Sequence, residues 1–168
     1  WIAGWLNGNP PANVWLGAYE RVGENQFIPA GMVERAMAYE AVPSRYDEVT
    51  LGVDVARFGK DETVIAVRRG RDARSEPWLY FRGLDTMEVA ARVSSEIDRL
   101  GPDAVFVDVG GVGAGVVDRL RQLGRDVFAV DSSNKSDGTA SARTNNKRAE
   151  MWQRMKDWLA QGHVSVPK

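Results

Sequence analysis

The chain has 168 residues, 43% of them hydrophobic and 27% charged, with a net charge of −1. That is enough for one domain with its own core, and it sets up no global basic field to advertise nucleic acid. There is no cysteine and one histidine, His163, which excludes disulfides, thiolate metal sites and cysteine nucleophiles and argues against a histidine-built zinc centre. No apolar run approaches the roughly 18–20 residues of a membrane span, and the N-terminus lacks the basic start and long apolar middle of a signal peptide.

Residues 1–48 read as a linker or the edge of a preceding domain. Trp1, Trp5 and Trp15 fall among Gly, Asn and Pro, and Pro10-Pro11 forbids helix there. These tryptophans read as packing anchors. Met32, Val33, Ala36 and Met37 are spaced for one face of a helix over about 30–38. The main domain is expected over 49–168. Two β-branched runs, 49–55 and 63–67, flank a polar turn centred on Gly59 and predict a hairpin, with strands expected near 49–55, 62–69 and 77–82. A helix over 86–100 places Val89, Val93, Ile97 and Leu100 on one face. Thr86 stands at or beside its N-cap, and Gly101-Pro102 stops it. Residues 104–109 are nearly all apolar, as in a central strand. The glycine turn 110–115 leads into a helix over about 114–123, and a strand over 126–130 ends at Asp131. Residues 132–144 are rich in Ser, Asn, Gly and Lys and read as a mobile loop. A helix over about 145–161 carries Ala149, Trp152, Met155 and Leu159 on one face, and 164–166 reads as a last short strand. There is no internal repeat.

Three strands in meander, then helix, strand, helix, strand, helix, predict an α/β fold with a mixed sheet. That order matches the ribonuclease H-like type, in which an antiparallel meander precedes parallel strands and helices flank the sheet.

Asp54 lies in an apolar strand, where a carboxylate costs several kcal/mol unless something compensates it. Asp108 occupies the corresponding place: near the end of an apolar strand, just before a glycine-containing turn. Ligands bind at the carboxyl ends of strands in open α/β sheets. If the two strands are neighbours, the two carboxylates need a divalent cation or a shared proton. Oxygen-only ligation suits Mg2+ or Mn2+, and two such ions roughly 4 Å apart are the usual apparatus for phosphodiester hydrolysis. Asp61 and Glu62, across the hairpin, are candidates to add a carboxylate. The bland alternative has Asp54 bonding its own turn and Asp108 capping the following helix. A nucleotide-binding reading of the segment from strand 104–109 to Asp131 has Gly111 and Gly113 but Val116 where a third glycine belongs. A phosphate hairpin of an actin-like or sugar-kinase ATPase, at 54–63, would need two lobes that this length does not supply. There is no Walker-type Gly-Lys-Ser/Thr. Lys135, Arg143, Lys147 and Arg148 concentrate positive charge, which suits a phosphate backbone or, more plainly, a solvated helix end.

Four stretches resemble one family in order: Glu24-Asn-Gln-Phe-Ile-Pro, Gly52-Val-Asp-Val-Ala-Arg-Phe-Gly-Lys-Asp-Glu-Thr, Phe106-Val-Asp-Val-Gly-Gly-Val-Gly-Ala-Gly and Asn146-Lys-Arg-Ala-Glu-Met-Trp. They are similar to the C-terminal nuclease domain of the large terminase subunit of tailed bacteriophages, over about residues 16–167. The resemblance implies a ribonuclease H-like, metal-dependent endonuclease that cuts concatemeric viral or prophage DNA during packaging in the cytoplasm of the bacterial host. It implies Asp54 and Asp108 as metal-binding catalytic carboxylates with Asp61 auxiliary, two Mg2+ or Mn2+ ions, and double-stranded DNA as substrate. Lys147 and Arg148 fall in a family motif, for DNA contact or structural support. The implied partners in a full protein are a preceding ATPase domain, the portal ring and the small terminase subunit. The family's third carboxylate sits in a later Ser-Pro-Asp-x-x-Asp-Ala helix, which has no counterpart before Lys168. Asp157 would replace it only by pointing inward. The expectation is therefore a truncated nuclease domain, with a catalytically incomplete DNA- or portal-docking fragment as the alternative and a nucleotide-binding domain third.

Overall fold

Alternation along one strand sets the architecture. In β1 (Val49–Asp54), Val49, Leu51 and Val53 are buried, while Thr50, Gly52 and Asp54 are half-buried. Successive side chains of a strand point to opposite faces, so β1 presents one face to a core and the other to a more open side. The computed structural model describes residues 27–56, 61–132 and 147–168. Trp1, Trp5, Trp15, the turn at Gly59, Lys135 and Arg143 lie outside the described residues.

The other elements are α1 (Ala30–Ala38), β2 (Thr63–Arg69), β3 (Leu79–Phe81), α2 (Thr86–Leu100), β4 (Ala104–Asp108), α3 (Gly113–Gln122), β5 (Phe128–Val130) and α4 (Lys147–Ala160). The strands form one sheet in the order β3-β2-β1-β4-β5. β1 with β2 and β2 with β3 are antiparallel; β1 with β4 and β4 with β5 are parallel. The switch follows from the connections. A hairpin reverses direction, whereas α2 and α3 carry the chain across a face and return it in the same direction. This is the mixed sheet expected, with the meander first.

α2 and α3 bury Val89, Val93, Val116, Val117 and Leu120 against Leu51, Val53, Ile65, Val67, Val105 and Val107. Each such side chain fully buried contributes about 1.5–3 kcal/mol. A second cluster joins α1, α4 and the C-terminal segment through Ile28, Ala36, Leu159, Val164 and Val166, with Met32, Trp152, Met155 and Trp158 packed on it. The helical faces expected for α1, α2 and α4 are thus the faces that pack.

Local detail sharpens three expectations. Thr86 lies beside the N-cap of α2, which is Asp85. Its Oδ1 accepts the N–H groups of Met87 and Glu88, both at 2.8 Å, while Glu88 Oε2 accepts from the Asp85 N–H at 2.9 Å, a reciprocal capping box. Residues 164–166 contribute a single bridge, Ser165 to Asp72, instead of a strand. β4 is central but buried on one face only. Phe106 is 39% exposed and stacks on Phe128 of β5, ring centroids 5.2 Å apart, because α2 and α3 lie on the other side.

Two devices hold the ends of the sheet. At the far end, buried Asp72 accepts hydrogen bonds from Ser165 Oγ (2.6 Å) and from the N–H groups of Arg74 and Ser75 (3.0 and 3.2 Å). At the carboxyl end, Gly113 opens α3 pressed against β4, and a Cβ there would collide with the Asp108 carbonyl oxygen.

Burial works to raise the Asp72 carboxyl, but the hydrogen bonds from Ser165, Ser75 and Arg74 outweigh it and hold the group below the usual carboxylate range. A group depressed in the folded state is protonated first in the unfolded chain, so stability falls as pH drops below the unfolded value of about 3.9. Urea unfolding across pH 3–7 is expected to show this acid limb in the parent and a flatter one in Asp72→Asn; identical limbs would refute it. Gly113→Ala is expected to lower the unfolding free energy by about 1–3 kcal/mol, the usual cost of overpacking, whereas Gly124→Ala meets no atom within 4 Å and suffers only the strain of its left-handed backbone.

Candidate metal centre

β1 and β4 run parallel with Val53 opposite Val107. The next step along both strands puts Asp54 level with Asp108, their backbones about 4.8 Å apart as in any neighbouring strands. Both residues are half-buried and both alternate with the buried positions, so they share the face away from α2 and α3. The two carboxylates expected from the sequence to meet are therefore neighbours at the carboxyl edge of the parallel strands.

The glycine turn is built around Asp108. Asp108 Oδ1 accepts the Gly110 N–H at 2.8 Å. A Cβ on Gly110 would stand 3.1 Å from that oxygen, and Gly111 adopts φ +69°, a left-handed conformation that glycine enters at no steric cost. Asp108 does not cap α3, whose N-cap is Val112 without a side-chain bond. The glycines serve the carboxylate and carbonyl of Asp108, which accounts for the glycine pattern without a nucleotide. Beside the turn a 290 Å³ cleft opens between the end of β1 and the start of α2, lined by Val55, Ala56, Leu84, Thr86 and Val112.

Asp61 is exposed, two residues before β2 begins. Glu62 is half-buried and pairs with Arg82 at 3.0 Å. Among the described residues, no three Asp, Glu or His side chains gather into a metal-holding group. Among the described residues Asp61 is therefore not gathered into such a group with Asp54 and Asp108. Asp157 is exposed on α4, where its Oδ1 accepts from Gln153 Nε2 at 2.8 Å. It belongs to the outer face of that helix and not to this site. The donor set of the pair, carboxylate oxygen alone, fits a hard divalent ion such as Mg2+ or Mn2+.

On the β5 side, Arg148 at the start of α4 donates to Ser132 Oγ at 3.4 Å. Ser132 follows β5 by two residues, so this cation lies near the carboxyl edge of the sheet. Lys147 Nζ stands 3.6 Å from Glu150 Oε2. Glu150 is fully buried and also meets Arg154 at 2.6 Å. Sequence reasoning assigns no role to this carboxylate at the base of α4, although it stands between Arg148 and Trp152 in a family-like motif. The clue is its spacing: Lys147 and Arg154 lie three residues before and four after it, the helical distances at which ion pairs form. Tyr80 and Arg82, on the β3 side, also escape sequence reasoning, because the end of β3 carries no recognisable motif.

No protein-family model matches the chain, and no curated protein matches it. Solved structures do. A point mutant of the large terminase subunit fragment gp2c of bacteriophage Sf6, with calcium, superposes with a TM-score of 0.63 at 22% identity over 80% of this chain. The large terminase nuclease of thermophilic phage G20c with bound cobalt gives 0.62 at 16% identity over 86% of this chain and 75% of its own length. The Sf6 nuclease domain has also been solved with manganese and β-thujaplicinol, and the G20c nuclease with magnesium. The chain spans 64% of the length of the Sf6 domain. At these identities the likeness establishes architecture: the chain carries the ribonuclease H-like fold of the nuclease domains of phage large terminase subunits.

Proposed function

We propose that this chain is the metal-dependent endonuclease domain of a viral DNA-packaging terminase, hydrolysing DNA phosphodiester bonds with two divalent ions. The observation that supports the reading is the parallel register of β1 and β4, with Val53 opposite Val107, which brings the next residue of each strand, Asp54 and Asp108, to neighbouring positions on a fold shared with terminase nucleases solved with manganese, cobalt and magnesium. Asp54 and Asp108 are the ligands and catalytic carboxylates, and Asp61 is an auxiliary carboxylate that approaches when substrate and metal are present. Bound Mg2+ or Mn2+ supplies the positive charge and the water activation that phosphodiester hydrolysis needs. Gly110 fixes one oxygen of Asp108 through its N–H, which orients the carboxylate before any ion arrives.

Lys135, Arg143, Lys147 and Arg148 contact the phosphate backbone of double-stranded DNA. Residues 1–48 lead from a preceding ATPase domain, and residues 49–168 are nuclease. In the whole terminase the partners are that ATPase, the portal ring and the small subunit, and the work is done in the cytoplasm of the bacterial host. Among the described residues no helix is long and apolar enough to cross a membrane.

One observation favours a second reading. With no third carboxylate gathered beside Asp54 and Asp108 among the described residues, the chain would dock DNA without cutting it. Plasmid cutting with Mn2+ and calorimetric Mn2+ binding separate the two. The nuclease reading expects Asp54→Ala and Asp108→Ala each to weaken Mn2+ binding and cutting beyond the ~10–100-fold that removing a residue that only orients a ligand costs. Equal cutting by parent and both variants would end it, and DNA binding without any cutting would favour docking.

A further inference from the structure

We propose that Arg82, held in place by Glu62, is a phosphate-backbone contact of the proposed nuclease site, gripping the substrate strand a few nucleotides from the scissile bond. This rests on the nuclease reading and adds a residue to it on the β3 side.

The sheet register carries the placement. Asp54 pairs with Val64, and Val64 with Tyr80, so these three residues are level across three strands and share one face. Two residues further toward the carboxyl edge, the same alternation returns Glu62 and Arg82 to that face. Thr63 pairs with Phe81, and one more step sets Glu62 opposite Arg82, where the ion pair closes at 3.0 Å. Strand spacing of ~4.8 Å and a rise of ~3.4 Å per residue put the Arg82 backbone about 12 Å from that of Asp54. Gly83, at φ +68° with open space around it, turns the chain away into α2 directly after Arg82.

The ion pair engages only Nε of Arg82. No hydrogen bond among the described residues engages its two Nη groups, and its side chain is 68% exposed against 29% for Glu62. The more buried partner is thus the anchor and the exposed one is presented. An exposed pair of this kind contributes little to folding. A guanidinium fixed by one edge keeps its remaining N–H donors for the oxygens of a phosphate. Tyr80 flanks the anchor. Burial, then the charge of Glu62, raises its phenol above the ordinary value, so it stays neutral beside Glu62.

The test is the affinity of the full chain for a short DNA duplex, measured with Ca2+ over a range of salt. Removing a single phosphate-binding cation should make the slope of log affinity against log salt shallower by about 0.9. Arg82→Gln is expected to show that change, with a roughly three- to tenfold weaker affinity at moderate salt, while Arg82→Lys keeps the parent slope. Arg45→Gln, an exposed cation at the opposite end of the sheet, should leave the slope alone. A parent-like slope in Arg82→Gln, or an equal change in Arg45→Gln, overturns the proposal. Mn2+ cutting by the parent and Asp54→Ala runs alongside. If the parent cuts through Asp54 while Arg82→Gln keeps its slope, this inference alone falls. If the parent neither binds nor cuts, the nuclease reading falls with it.

Discussion

The parallel pairing of β1 with β4 is the constraint on which the rest depends. It brings two strands that are far apart in sequence into register up to Val53 and Val107, each of which is followed by an aspartate. The sheet holds these two positions in place because α2 and α3 form their core on its opposite face.

The support around that pair is asymmetric. On the core face, apolar side chains of β1, β2 and β4, mostly valines, meet those of α2 and α3. On the other face the strands carry Asp54, Asp108 and the half-open phenylalanine pair, Phe106 on Phe128. That face is the more open of the two at β1 and β4, although Val64 of β2 is buried on it, and the loops that shape the mouth depend on backbone detail. Gly113 shows how tight that detail is, since even a methyl group would strike the carbonyl of the residue that carries the site. The second cluster, under α1 and α4, is tied to the sheet at its far end through Asp72 and Ser165, away from the chemistry.

Much of this is legible in the sequence, and for identifiable reasons. Strict alternation in 49–54 and apolar continuity in 104–108 expose β1 and β4, and a polar residue breaking each run exposes Asp54 and Asp108. Helix faces with clear 3.6-residue spacing, such as Val89-Val93-Ile97, also read correctly. What does not read is whatever depends on a competing or remote partner. The choice of Asp85, beside Thr86, as the cap rests on such partners: its carboxylate spans two N–H groups while Glu88 reaches back. The segment 164–166 looks like a strand because it is apolar in alternation, but only Ser165 forms a bridge, to Asp72. Phe106 looks like core because composition cannot tell which face of a central strand lacks a helix. Glu62 stands out in the sequence but Arg82 does not, because an ion pair across antiparallel strands depends on a register that only the fold supplies.

Charge at the mouth completes the physical picture. Bare carboxylates at the end of two strands repel a phosphate, and a net charge of −1 offers no long-range pull to offset that. On the proposed nuclease reading, attraction would come from a bound divalent ion and from cations set close on either side. The described edge has one at each flank: Arg148 tied to Ser132 beyond β5, and Arg82 tied to Glu62 beyond β2 and β3. Both are arginines, and each is tethered to a neighbouring element. A tethered guanidinium loses less side-chain entropy on meeting a phosphate than a free lysine does. On the proposed reading, two such cations either side of Asp54 and Asp108 would favour a polyanion laid across the strand ends over a small anion bound at a single point, because only the longer ligand can reach both flanks and the centre together.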